Sequence, residues 1–179
     1  MAIEVMSAKL ITPFFGMSLY VWASVLSITL LSLTIGYYLG GIKSKNTNFN
    51  KYMNFLFITV SVYTILLPYI SNFLLSFFIY LPLEVGIIIS AISILTLPLI
   101  LLGSSTPMII NHLTTDEDSA GLNTGNVFSI STFGGIVFVF LFGHFLIPFL
   151  GVKMSSIIAG LFLLLAFLLL KTNQLLEKK

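Results

Sequence analysis

The chain has 179 residues, of which 58% are hydrophobic and 8% are charged. A soluble domain averages about 25% charged residues, so this composition indicates an integral membrane protein and excludes the soluble enzyme classes. The sequence contains no cysteine, which excludes disulfides and cysteine nucleophiles. Its formal net charge of +2 is too small for a nucleic-acid-binding surface, so we expect no nucleic-acid partner.

The first segment, residues 1–12, is mostly apolar and carries two charged residues, Glu4 and Lys9. As a helix it would be about 18 Å long, which is little more than half of the roughly 30 Å hydrocarbon core of a bilayer. It has neither the basic start nor the small-residue cleavage site of a signal peptide. We therefore expect a short N-terminal helix that does not cross the membrane.

Five later stretches are apolar and long enough to cross a bilayer. Their ranges are 19–39, 52–70, 84–111, 127–150 and 154–170. Between the second and third, the segment 71–81 repeats a polar side chain every four residues, at Asn72, Ser76 and Tyr80. That spacing predicts a separate interfacial or lining helix, with a continuation of the second span as the alternative. The prediction is an all-α polytopic membrane protein that forms a single membrane domain over residues 1–179.

Prolines lie inside two of these spans, Pro98 and Pro107 in the third and Pro148 in the fourth. A proline removes one backbone donor and clashes with the preceding turn, so we expect helix kinks, and a kink or break near Pro98 or Pro107. Within a membrane, the carbonyls that lose a donor need another partner. The hydroxyls expected to serve them are those of Ser93, Ser104 and Ser105.

The lysines of the loop 42–51 and of the C-terminal tail predict that both segments are cytoplasmic. The loop 112–126 then lies on the same side. The expected location is the cytoplasmic (inner) membrane of a bacterium or archaeon, with the C-terminus in the cytoplasm.

Small residues at a four-residue spacing indicate close helix packing in membranes. The candidates are Gly36, Gly40, Gly41, Gly121, Gly125, Gly134 and Gly143. A polar transport path lined by small residues is the alternative interpretation.

Few ionisable residues are candidates for function. Glu4 and Lys9 lie at or inside the membrane boundary, where a charge is costly, so we expect each to find a polar partner on another helix or to lie solvated at an interface. The two histidines, His112 and His144, are predicted to lie about 25 Å apart in depth, which excludes a shared haem or metal. The acidic run 116–118 lacks the spaced oxygens of a calcium loop, and is read as a solvated loop or a contact for a basic partner. We predict no catalytic residue, no metal ligand and no cofactor.

Four blocks of sequence resemble one known family. They are Glu4-Val-Met-Ser-Ala-Lys9 with the following Pro13, Gly16 and Tyr20-Val-Trp22; Gly36-Tyr-Tyr-Leu-Gly40-Gly41; Gly103-Ser-Ser-Thr-Pro107; and Gly125 to Gly134, continued by Gly143-His-Phe-Leu-Ile-Pro148. In this order they are similar to the membrane domain of bacterial and archaeal spermidine-synthase-like proteins, the fused transporter-like/spermidine synthase family.

The sequence also departs from that family. The family's first span has about a dozen further apolar residues before the acid, and its base is usually arginine where Lys9 stands here. The soluble synthase domain with its Gly-rich nucleotide loop has no counterpart, so its aminopropyl-transfer residues have no positions to map onto.

Three functional hypotheses follow. The first is a non-catalytic membrane anchor or accessory subunit, bound to other membrane subunits or to further copies of itself. The second is a small-molecule or ion transporter, working as a dimer. The third is the membrane half of a split polyamine-synthase-like enzyme that binds a separate soluble synthase-like protein.

Overall fold

The computed structural model describes residues 1–45, 47–114 and 116–176. Within them the chain is helical. The helices are α1 (Ala2–Phe15), α2 (Leu19–Ser44), α3 (Phe49–Phe78), α4 (Leu83–Leu113), α5 (Ala120–Phe140) and α6 (Ile147–Leu176). A 3-10 turn over Glu117–Ser119 precedes α5, and a π-helical turn over Leu141–Leu146 joins α5 to α6. The tail lysines Lys178 and Lys179, used for the orientation, lie outside the described residues.

Among the described residues, four helical runs are long and apolar enough to cross a membrane. Three are α2, α3 and α4, and the fourth is the run Ala120–Thr172, which contains 53 residues. Gly151 interrupts that run with a φ of 75° and a ψ of 166°, which no α-helix contains. The predicted all-helical class is therefore confirmed over the described residues, with four candidate membrane-spanning runs; the predicted count of five spans is not confirmed by these lengths.

The short N-terminal helix lies inside the bundle. Gly16 ends α1 with a φ of 80°, and the Ser18 hydroxyl begins α2 by accepting a hydrogen bond from the Val21 amide at 3.4 Å. A buried row on α1 then contacts all of the other long helices. Its residues are Ile3, Met6, Ser7, Ala8 and Ile11. Helix α1 reaches Phe15, three residues further than predicted.

The closest helix pair is α2 with α4. A Cβ added at Gly36 would lie 2.6 Å from the carbonyl oxygen of Ile100 and 3.1 Å from the Cα of Gly103. One turn further, Gly40 lies against the Ser104 backbone, with the Pro107 ring 2.7 Å from the position of an added Cβ. These contacts bring the two backbones together, which is the main source of helix association in lipid.

Helix α3 does not end near Pro68. Residues 71–78 continue it, so the separate interfacial helix predicted over 71–81 is not seen and the alternative of a continued span applies. The Ser71 side chain is buried within α3, with its hydroxyl donating to the Pro68 carbonyl at 3.1 Å. The chain turns only at Pro82, which immediately precedes α4.

Helix α4 runs unbroken through both of its prolines. Pro98 has no amide hydrogen for the carbonyl of Ile94, and the Tyr63 hydroxyl of α3 donates to that oxygen at 2.9 Å. The serines predicted to serve the freed carbonyls do not donate to the Ile94 carbonyl. Ser93, Ser104 and Ser105 donate to the carbonyls of Ile89, Leu101 and Leu102, which the prolines do not affect. At Pro98, a neighbouring helix rather than α4 itself supplies the replacement donor.

The last two helices differ in how well they pack. Helix α6 runs along α3, where the Ser61 hydroxyl donates to the Gly160 carbonyl at 2.7 Å. Helix α5, all of whose residues the structure describes, contains no buried residue. Pro148 lies at the start of α6, directly after the π turn.

Candidate functional site

The charged pair near the N-terminus is not brought together. Glu4 is 12% exposed, and its carboxylate forms an ion pair with the N-terminal amine of Met1 at 3.2 Å. Lys9 is exposed on another side of α1. Within the described residues, no group of three or more His, Cys, Asp or Glu side chains is placed to hold a metal ion. The first turn of α1 therefore carries one local ion pair rather than a polar centre.

A first cavity lies beside the start of α1. It has a volume of about 340 Å³ and is bordered by Met1, Thr132, Gly135 and His144, with apolar side chains between them. Gly135 lies midway along the run from Ala120 to Gly151, and the Met1 side chain is 2.9 Å from the position of a Cβ added there. The start of α1 therefore lies near the middle of the helical segment from Ala120 to Gly151.

His144 borders this cavity from the π-helical turn. Its ring stacks on Phe140 with centroids 4.5 Å apart. Isolated π turns occur often at functional sites because the extra residue redirects side chains. Here the turn places an imidazole beside an otherwise apolar space.

A second cavity lies where α3, α4 and α6 meet, near the first turn of α3. Its volume is about 490 Å³. His112 lies at its edge and stacks on Phe49 with centroids 4.1 Å apart and an interplanar angle of 4°. The two histidines thus belong to different cavities on different helices, and each contacts its own phenylalanine.

Polar contacts connect α2, α3 and α4 at this same end. The Tyr52 hydroxyl lies 2.7 Å from the Ser104 hydroxyl, and the Lys43 ammonium lies 5.1 Å from the centre of the Tyr52 ring. The Asn111 amide donates to the Ser44 carbonyl at 3.1 Å. These contacts join the ends of α2, α3 and α4 at the end of the bundle where α3 and α4 line the second cavity.

The predicted packing glycines fall into two groups. Gly36 and Gly40 lie at the contact of α2 with α4, as described above. For the others, no described heavy atom lies within 4 Å of an added Cβ. They are Gly41, Gly121, Gly125, Gly134 and Gly143.

Several residues with well-defined contacts were missed by the sequence reasoning. Tyr63, Gly103 and Gly160 each contact a neighbouring helix directly. In addition, the buried hydroxyls of Ser7 and Thr29, like that of Ser32, have no hydrogen-bond partner among the described residues. Only Tyr63 had a signal in the sequence. In a membrane protein whose helices contain prolines, a tyrosine hydroxyl can reach a freed carbonyl on the next helix.

Comparisons with protein-family models, with curated proteins and with solved structures found no match to this chain.

Proposed function

We propose that this protein is a non-catalytic membrane anchor or accessory subunit, packed against another transmembrane subunit in a larger assembly. The observation that carries the proposal is the exposure of α5, which contains no buried residue although it is 21 residues long. Its partner is proposed to be a transmembrane helix of another chain that packs along α5.

The exposed surface of α5 is not a plain lipid-facing surface. Gly121, Gly125, Ser129 and Thr132 follow one another at helical spacing, and all four are exposed. Lipid chains gain nothing from small or polar side chains, whereas an approaching helix gains close backbone contact and hydrogen-bond partners. Thr132 also borders the 340 Å³ cavity, so this row leads into a space that a partner side chain would fill.

We infer five membrane crossings. A single helix over Ala120–Thr172 would be about 80 Å long, far more than the roughly 30 Å of the hydrocarbon core. The non-helical dihedrals of Gly151 and the packing of α6 along α3 support a reversal of direction at that glycine. Lys43 and Lys51, at the ends of α2 and α3, favour a cytoplasmic location for that side of the inner membrane, and the C-terminus with it.

The resemblance to the membrane domain of spermidine-synthase-like proteins supports the same proposal. In that reading the chain supplies the membrane part, and any chemistry belongs to a partner. A soluble synthase-like partner is one outcome that the experiment below separates from a transmembrane one.

Site-specific crosslinking in native membranes tests the proposal. Because the sequence contains no cysteine, Gly125→Cys and Leu161→Cys each introduce a single reactive position without further changes. We expect a maleimide-benzophenone label on Gly125→Cys, on α5, to give one adduct of fixed mass. The label on Leu161→Cys, on the exposed side of α6, is expected to give none. The adduct is then identified by mass spectrometry.

A matched substitution completes the test. Gly125→Leu is expected to leave the thermal stability of the detergent-purified chain unchanged, since no described atom lies near an added Cβ. The partner subunit identified in the adduct is expected to co-purify with the unaltered chain from native extracts but not with Gly125→Leu. A free monomer in native extracts of the unaltered chain contradicts the proposal. So does an adduct with the mass of two copies, or one with a soluble synthase-like protein.

Transport is the second candidate function. It is favoured by the start of α1 near mid-depth beside the His144 cavity, since half-length helices often end at transport sites. Proteoliposomes containing the purified chain, loaded against labelled spermidine or K⁺, test it directly. Uptake that is lost on Glu4→Ala but kept on Lys45→Ala supports transport, and the absence of uptake above empty liposomes excludes it for these two solutes.

A further inference from the structure

The 490 Å³ cavity is a groove between three helices that diverge at one end of the bundle. Each helix contributes side chains from one face. The lining residues are Phe49, Asn50, Met53 and Phe57 of α3, Ile109, His112 and Leu113 of α4, and Ala166, Leu169 and Leu170 of α6. Asn50 and His112 are its polar members, and both lie at the level where α3 begins and α4 ends.

The groove is open on one side and closed below. Met53, at its floor, is 1% exposed, whereas Leu169, at its mouth, is 58% exposed. The apolar walls therefore extend from a buried floor to the surface that faces the bilayer. Water gains too few hydrogen bonds in such a space to fill it, whereas a hydrocarbon chain from the bilayer fits its chemistry.

The rim of the groove favours a negative charge. Lys51 and Lys171 directly follow lining residues in the sequence, and both are exposed. Helix α3 begins here, where the Asn48 side chain makes no capping hydrogen bond, and a helix N-terminus favours anions. The acidic residues Asp116 and Asp118 lie in the connection that leads from α4 to α5, beyond Leu113, the last lining residue of α4.

We infer that this groove binds one glycerophospholipid with an anionic headgroup. An acyl chain lies between Met53 and Ala166, and the phosphate lies at the rim, where it accepts hydrogen bonds from Asn50, from His112 and from the first amides of α3. Lys51 supplies attraction from one side and Lys171 from the other. The inference does not depend on the proposed function, because no residue of α5 lines the groove.

Quenching of a single tryptophan by brominated lipids tests this site. The chain has one tryptophan, Trp22, so Trp22→Phe gives a silent background. Phe57→Trp then reports from the groove. Leu161→Trp is the control, because it is 54% exposed on α6 and follows Gly160, whose carbonyl contacts Ser61 at nearly the same depth.

The probes are vesicles of dibrominated phosphatidylglycerol or dibrominated phosphatidylcholine. We expect the ratio of quenching by phosphatidylglycerol to quenching by phosphatidylcholine to be at least about five at Phe57→Trp, which is the effect of one lysine near an anionic headgroup. At the control Leu161→Trp we expect a ratio near one. Equal ratios at the two positions would overturn the inference.

Two sets of variants locate the preference. Lys51→Gln combined with Lys171→Gln is expected to bring the ratio at Phe57→Trp close to one, whereas Lys153→Gln, near the opposite turn at Gly151, leaves it unchanged. Ala166→Phe, which fills the groove, is expected to remove the quenching preference at Phe57→Trp. A preference that survives both changes refutes the site.

A second measurement avoids the risk that a variant misfolds. The unaltered chain, purified with an equimolar mixture of the two lipids, is examined by native mass spectrometry. We expect one phosphatidylglycerol to be retained per chain. Retention of both lipids in equal amounts, or of neither, overturns the inference.

Discussion

The hydrogen bond between Tyr63 and the Ile94 carbonyl leads to the most specific prediction about stability. Tyr63→Phe removes one hydroxyl and leaves the ring in place. The Ile94 oxygen then has no donor, because the residue four positions later is Pro98. Interhelical hydrogen bonds in membranes average about 0.6 kcal/mol with a maximum near 1.7. An unpaired buried carbonyl costs about 1–3 kcal/mol. We expect a loss of about 1.5 kcal/mol.

The physical reason is tested by restoring the missing amide. Pro98→Ala gives α4 a backbone N–H that reaches the Ile94 carbonyl, so the oxygen no longer depends on α3. In the Pro98→Ala background, Tyr63→Phe should cost less than about 0.5 kcal/mol, because only the weaker contact to the Ser93 carbonyl at 3.3 Å is lost. The coupling free energy between the two positions is then about 1 kcal/mol.

Unfolding in bicelles, monitored by steric trapping, measures these differences in the free energy of unfolding. Tyr38→Phe is the control, since that side chain is 70% exposed on α2 and the substitution should change the stability by less than about 0.3 kcal/mol. If Tyr63→Phe costs the same free energy in both backgrounds, the tyrosine does not replace the donor that Pro98 lacks, and the reasoning is refuted.

Three glycine substitutions, with Gly41→Ala as a control, are measured in the same assay. Gly40→Ala should destabilise the chain by about 1–3 kcal/mol, since the new Cβ meets the α4 backbone. Gly41→Ala, next to it in open space, should change the stability by less than about 0.5 kcal/mol. Similar losses of stability at both positions would contradict this packing. Gly160→Ala should cost about 1 kcal/mol because a carbonyl oxygen of α3 lies 3.0 Å from the new Cβ, and a neutral result would place the close contact elsewhere. Gly151→Ala should cost about 1–2 kcal/mol, because its φ of 75° is strained for any residue with a Cβ, and a stabilising effect would show that the α5–α6 run is straight there.

The fold class was predictable because it depends on composition and on length. A chain with few charges and long apolar runs has to place its backbone in helices within a bilayer, and the structure is helical over the residues it describes. The boundaries near Gly16 and Pro82 were predictable for the same local reasons that end helices elsewhere.

Local rules failed where a neighbouring helix decides the outcome. The second span was predicted to end at residue 70, yet α3 continues through Pro68 to Phe78, since a membrane helix keeps its remaining hydrogen bonds when no water competes for them. The serines of α4 were predicted to serve the freed carbonyls, but Tyr63 does so from α3. No spacing within α4 contains that information.

The same limit applies to the glycines and to both cavities. Gly36 and Gly121 occur in the same kind of motif, but only the structure shows that α4 covers the first and that no described atom approaches the second. A small-residue motif indicates that another helix can approach closely. Only the fold shows whether another helix does so. The open glycines of α5 carry the proposal of a surface for another helix, whereas the groove at His112 is bordered by three helices and carries the inference of a bound lipid. These two surfaces face different parts of the membrane environment, so crosslinking at α5 and lipid quenching at the groove give independent answers.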